Sequence, residues 1–371
     1  MPMTISMARP YSPSRNSAGP TLVVPGVKQK ELTFGLDTFG DHTVDAGGTQ
    51  ESAAQVLRHV VAEGVLADEV GIDHFSVGEH HRPDFAISTP EVVLAAIAAR
   101  TSRITLGSAV TVLSSDDPVR VYERFATLDA ISDGRAELTV GRGSFIESFP
   151  LFGYALEDYE VLFEEKLDLL ASLRAEGPLH WSGTTRLPLT GQRAYPTTER
   201  GSLPVWVAVG GTPASVVRAA EYGLPLMLAI IGGPPARFRP FVDLYRSRTE
   251  GTDLPVGVHS PGFLAATDAE ARDLLYPHFK VNRDRIGRER GWPPVSRADF
   301  EAEADGGALF VGSPETVAAR IAAAVTDLGV ERFDLKYANG PMPHEQLLTA
   351  IELYGTEVIP RVRELLAAKE G

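Results

Sequence analysis

The sequence predicts an α/β protein of the (β/α)8 class, a TIM barrel with insertions at its C-terminal mouth. Three observations predict it. From Glu31 onward, short β-rich runs alternate with longer helical patterns, the order that builds a parallel sheet. The strand candidates number eight, enough to close a barrel. The chain has 371 residues, ordinary for such a barrel with insertions.

The strands are expected at Leu32–Leu36, His74–Val77, Ile104–Ala109, Ala136–Val140, Val205–Val209, Leu226–Ile230, Val256–Ala265 and Phe333–Tyr337. Each is a short run of β-branched and apolar residues bounded by turn formers. Helices are expected over 50–70, 90–100, 118–131, 157–174, 213–222, 235–249, 267–286, 314–327 and 344–368, the last broken near Gly355. Four of their starts share a signature: Thr89-Pro90, Asp117-Pro118, Thr212-Pro213 and Ser313-Pro314. A hydroxyl or carboxylate there accepts a hydrogen bond from an early helix N–H. Proline has no N–H to waste at the first helical position. Gly71 suits the left-handed residue that ends a helix.

Two stretches depart from the repeat, 144–198 and 288–307. Both read as insertions near the mouth, where barrels carry function. Residues 1–30 are rich in Pro, Ser and Gly without periodicity and are expected to be a disordered tail, with the barrel spanning 31–371.

Formal net charge is −14. Such a chain repels phosphate backbones and anionic lipid heads, so no nucleic-acid or membrane partner is expected. No apolar run reaches the ~18 residues of a membrane helix. The absence of cysteine excludes disulfides, thiolate metal sites and a cysteine nucleophile, and a cytoplasmic location fits.

Four segments at strand ends are candidates for chemistry. Gly78-Glu79-His80-His81 follows the second strand, and histidine moves protons near neutral pH. Both imidazoles have a structural alternative, capping loops or pairing with Asp84 or Glu79. A metal site lacks an identifiable third ligand, and adjacent histidines on extended chain point to opposite sides. Val209-Gly210-Gly211-Thr212-Pro213-Ala214-Ser215 runs from strand to helix. A phosphate can approach the glycines and the helix N-terminus there; a tight capped turn is the alternative. In Gly141-Arg142-Gly143-Ser144 small residues flank a guanidinium able to grip a phosphate, or one paired to Glu137 or Glu147. Gly107 to Leu113 places small residues at a strand end, leaving room for a flat ring or reflecting barrel packing. His259, in the seventh strand, reads as a buried, hydrogen-bonded histidine. Tyr154, Phe145, Phe149, Phe152, Trp181 and Trp206 are candidates for an apolar pocket or for core.

Together these segments resemble the bacterial luciferase-like flavin monooxygenases. The resemblance runs from about Leu32 to Leu366. It rests on Glu79-His80-His81, Leu106 to Leu113, Asp117-Pro118-Val119-Arg120, Leu128-Asp129, Gly134-Arg135, Val140-Gly141-Arg142-Gly143, Gly210-Gly211-Thr212, Ala219 to Pro225 and Gly312-Ser313-Pro314-Glu315.

The resemblance implies a barrel mouth that holds reduced FMN and uses dioxygen, through a peroxyflavin, to oxidise a small organic substrate. His80 matches the family's catalytic histidine near the reactive edge of the flavin. Arg142, Gly211, Thr212 and Ser215 match phosphate-binding positions, with Gly210 in the same turn. Ala109 and Val110 match a non-proline cis peptide beside the flavin ring. Gly141 stands where the luciferase subunit has a reactive cysteine, so chemistry needing that thiol is excluded. The insertion 144–198 is expected to shield the reaction from water. No nicotinamide fingerprint is visible, so a separate flavin reductase is the expected source of reduced FMN, and the family's habit implies a homodimer. The alternatives are a deazaflavin-dependent oxidoreductase and a non-catalytic flavin-binding protein of the same fold.

Overall fold

Eight parallel strands close on themselves in the computed structural model, which describes residues 32–143 and 145–370. The tail expected over 1–30 and the residue Ser144 lie outside the described residues. The strands are β1 (Thr33–Thr38), β2 (His74–Val77), β3 (Thr105–Ser108), β4 (Ala136–Gly141), β5 (Val205–Val209), β6 (Leu226–Ala229), β7 (Val256–Leu264) and β8 (Arg332–Lys336). Each pairs in parallel with the next, and β8 returns to β1. All eight expected strands are present, with ends shifted by at most a few residues.

Side chains alternate across each strand, and closure decides which set faces inward. Phe333 and Leu335 of β8 point out to the surrounding helices and are fully buried. Arg332, Asp334 and Lys336 alternate with them and are also buried, so they fill the barrel. Arg332 donates to Asp334 (2.9 Å) and to Glu137 of β4, which also accepts from Trp206 Nε1 at 2.8 Å. Two glycines make room: a Cβ on Gly35 would fall 2.1 Å from Asp334 Oδ1, and one on Gly107 would fall 2.9 Å from Ser76 Oγ. The barrel thus has an ionic interior inside an apolar shell, and buried charges persist when paired and hydrogen-bonded.

The helices follow the predicted rhythm: α1 (Ala53–Glu69), α2 (Pro90–Ala98), α3 (Pro118–Ile131), α4 (Tyr159–Leu173), α5 (Pro213–Glu221), α6 (Arg239–Arg248), α7 (Asp268–Arg290), α8 (Arg297–Gly306), α9 (Pro314–Leu328), α10 (His344–Leu353) and α11 (Ile359–Glu370). Gly71 has φ +82° and turns the chain out of α1. Of the four expected caps, Asp117 and Ser313 accept from helix N–H groups, whereas Thr89 and Thr212 do not. Near Gly355 the last helix does not break; one π turn, Tyr354–Val358, joins α10 to α11.

The stretch 144–198 holds a short helix (Ser148–Phe152), α4 and an antiparallel hairpin, Leu179–Trp181 with Leu189–Gln192. α4 packs beside α3 as an ordinary barrel helix. The stretch 288–307 includes an unpredicted helix, α8. Ser296 and Asp299 start it with reciprocal side-chain to backbone hydrogen bonds, the capping-box arrangement. A short strand, Phe310–Gly312, then pairs in parallel with the end of β7.

Candidate active site

A cavity of about 470 Å³ opens at the C-terminal ends of the strands, where barrel active sites are built. His80, Ala109, Val110, Arg142, Gly210 and Ser215 line it. Sequence-distant candidates therefore converge on one space. Gly211 and Thr212 do not line it; a Cβ on Gly211 would face Phe238 and Phe241.

The β2 end is stitched to the β3 end. The Ala109 N–H donates to Val77 O (2.9 Å) and the Glu79 N–H donates to Val110 O (3.0 Å). The Ala109–Val110 peptide is cis, as the resemblance implied. Gly78 permits this approach, since a Cβ there would fall 2.5 Å from Phe39 Cδ1 and 2.8 Å from Ala109 O. Glu79 is buried and bridges two elements. One of its oxygens meets His81 Nε2 at 2.9 Å, and the other accepts the Val112 N–H at 2.8 Å. His81 is thus the paired histidine.

His80 has different surroundings. Its ring packs against Phe85 (4.5 Å between centroids), Phe39 (4.6 Å) and Phe145 (5.4 Å). Burial in this apolar cage, with the positive charges of Lys336 and Arg82 adding to it, pushes the His80 pKa down to about 3. The imidazole is neutral at physiological pH.

His259 and Asp37 form a second polar pair on the cavity wall, with Nδ1 and Oδ2 2.6 Å apart. Burial lowers the His259 pKa, but the Asp37 charge and hydrogen bond outweigh it, with Asp334 adding, so the net shift is upward. The expected hydrogen bond is present, but the ring is only partly buried, its side chain 12% exposed at the cavity. Among the described residues, no hydrogen-bond partner meets the buried Asp37 Oδ1. Lys336 Nζ donates to Asp41 at 2.9 Å and sits 4.7 Å from the Phe39 ring centre.

On the β4–β5 side, Arg142 donates to Ser215 Oγ at 3.2 Å and pairs with Glu160. Its carboxylate partner is therefore neither Glu137 nor Glu147, which are engaged by Arg332 and Arg82. The Thr212 hydroxyl donates to Ser215 Oγ (2.8 Å) instead of capping α5. A Cβ on Gly210 would meet nothing within 4 Å, and Gly211 has φ +106°. This loop combines an uncapped helix start, open backbone and a guanidinium, which suits a phosphate dianion.

Of the six aromatic candidates only Phe145 lines the cavity. Trp206 lies inside the barrel on Glu137, Trp181 donates to Asp168 (2.7 Å), and Phe149 is fully buried. Tyr154 covers the ammonium of Lys166 at 4.0 Å, and Phe152 packs against His81. Phe39, Phe85, Tyr159, Phe279 and Trp292 take the wall positions instead. From the stretch 144–198, lining residues come only from its first part, ending at Tyr159; the hairpin contributes none. Asp37, Phe39, Asp334 and Lys336 were not anticipated. The alternating pattern Arg332-Phe333-Asp334-Leu335-Lys336 was the available signal.

A model of the family described as luciferase-like monooxygenase matches residues 34–332. The alkanal monooxygenase alpha chain of Photobacterium leiognathi is 24% identical over 347 residues, 85% of this chain and 96% of that one. The N-acetyl-S-alkylcysteine monooxygenase of Bacillus subtilis is 33% identical over 186 residues, 49% of this chain and 53% of that one. Among solved structures, monooxygenase RslO1 from Streptomyces bottropensis superposes with a TM-score of 0.76 at 27% identity, covering 89% of this chain and 99% of that chain.

Proposed function

The chain belongs to the luciferase-like monooxygenase family, and from that premise we propose that it is an FMN-dependent monooxygenase that uses reduced FMN and dioxygen to oxidise a small organic substrate. One observation carries the reading: His80, the cis Ala109–Val110 peptide, Arg142, Gly210 and Ser215 all border one cavity. Bound reduced FMN supplies the two electrons that activate dioxygen.

The residues present fit that group. Arg142, Ser215 and the uncapped start of α5 hold the phosphate, with open space at Gly210, where a Cβ would meet nothing within 4 Å. Val110 and Gly141 give the ring system a flat wall, because the Val110 side chain already fills the space a Cβ on Gly141 would need (3.0 Å). His80 serves as a neutral hydrogen-bonding group at the reacting edge, not as a cationic acid. The His259–Asp37 pair is the wall group whose surroundings favour holding a proton, the Asp37 charge and hydrogen bond outweighing burial. Phe39, Phe85 and Phe145 keep water from the His80 side. A separate flavin reductase supplies the reduced cofactor.

The test is anaerobic titration of the full chain with FMN and reduced FMN, followed by oxygen and a panel of aldehydes, ketones and sulfonates read by mass. Saturable binding of reduced FMN is expected, with a product one oxygen atom heavier from an aldehyde or ketone, or an aldehyde with released sulfite from a sulfonate. No flavin binding, or oxygen-independent turnover, would sink the reading.

A further inference from the structure

The cavity wall contributed by α7 carries a cation that the proposed flavin chemistry does not use. Arg283 lines the cavity and is half-buried. Its guanidinium carbon lies 5.3 Å from the Trp292 ring centre and 6.0 Å from that of Phe279. No described carboxylate is in ion-pair contact with it. The neighbouring acid, Glu303, is committed elsewhere: it accepts from the Gly233 N–H (3.2 Å) and the Ala308 N–H (3.0 Å). Two other cations that line the cavity differ: Arg142 pairs with Glu160 and Lys336 with Asp41.

A second guanidinium stands close by. Arg290 lies 5.2 Å from the same Trp292 ring and 5.4 Å from Phe145; burial most disfavours the charged form of Arg283, the Glu303 charge offsets part of this, and the Arg290 charge adds to it. Two like charges held against aromatic faces at a cavity mouth repel one another. An anion beside Arg283 accepts charge-assisted hydrogen bonds in a partly dry site. The rings around them bury apolar surface of the same ligand.

We propose that Arg283, with Trp292 and Phe279, forms a substrate subsite for an organic anion, an apolar body bearing a carboxylate, sulfonate or phenolate. The inference rests on reading the cavity as the site of flavin and substrate. It assigns the phosphate of the flavin to Arg142 at the end of β4 and the substrate's charge to Arg283 on α7.

The experiment is isothermal titration of the full chain with octanoate and with its neutral counterpart octanamide, with and without saturating FMN. Wild type is expected to prefer octanoate by about tenfold, the scale of one charge-assisted hydrogen bond. Arg283→Gln is expected to abolish the preference and Arg283→Lys to restore part of it, with FMN affinity unchanged in both. Equal binding of the two probes by wild type, binding of neither, or a preference that survives Arg283→Gln overturns the proposal. A loss of FMN affinity in Arg283→Gln also overturns it, by placing Arg283 on the cofactor. Failure of wild type to bind FMN strikes the functional reading instead, and the titration without FMN still decides the anion subsite.

Discussion

His259 Nδ1 and Asp37 Oδ2 lie 2.6 Å apart on the wall of the cavity, joining residues 222 positions apart in the chain. Burial opposes a charge on His259, and Lys336 opposes it further, but Asp37 and Asp334 together raise its pKa above the ordinary 6.5. A histidine raised in the folded state stabilises the fold fully below its unfolded value. That contribution is lost as pH rises through the higher folded value. Asp37→Asn is therefore expected to move the His259 midpoint downward and to remove this pH-dependent part of stability. Ring-carbon NMR of selectively labelled histidine reads the midpoint directly, and an unchanged value would refute the coupling.

His80 is predicted to behave in the opposite way. With its pKa pushed down to about 3, it carries no charge from pH 5 upward, and no limb of the pH–rate profile belongs to it. His80→Ala is expected to lower oxygen-dependent turnover by about 10²-fold, the scale of one lost hydrogen-bonding group at a reacting atom, without changing the shape of the profile. Loss of a limb in the variant would show that His80 titrates during turnover.

Arg142 is expected to act through the phosphate alone. Arg142→Ala removes a charge-assisted contact of about 1.5–3 kcal/mol, so FMN affinity falls by about tenfold or more. Riboflavin has the same ring without the phosphate, and its affinity is expected to stay level. Fluorescence titration with both ligands checks this. An equal loss for both would move Arg142 away from the phosphate.

The barrel was legible because its shell is written in the sequence as short runs such as Val205–Val209 and Leu226–Ala229. Its interior was not. Arg332-Phe333-Asp334-Leu335-Lys336 reads as a strand with one wet face, and only closure turns that polar face inward. The α7 wall was hidden for a related reason. Phe279 and Trp292 are separated by the Arg-rich end of a helix, and no periodicity tells which face of that helix meets a cavity. The capping box at Ser296 and Asp299 was available in the residues; it lay in a stretch read as an insertion. The site candidates emerged because strand ends in a barrel share one mouth, whereas a pair such as His259 and Asp37 needs the register of β1, β8 and β7 to be known.

The ionic interior makes a stability prediction that tests the inward placement itself. Glu137 is 6% exposed. Burial pushes its carboxyl pKa up, but Arg332 and His74, together with hydrogen bonds from Arg332 and Trp206, bring it below the ordinary value. Glu137→Ala leaves Arg332 Nη1 and Trp206 Nε1 without this acceptor, and breaking a buried pair costs about 3–5 kcal/mol. Trp206→Phe removes only the indole hydrogen bond and is expected to cost about 1 kcal/mol. Urea denaturation followed by circular dichroism separates the two, with the midpoint of Glu137→Ala well below that of Trp206→Phe. Near-equal midpoints would mean that Arg332 finds compensation from Asp334 alone and that Glu137 is dispensable to the barrel.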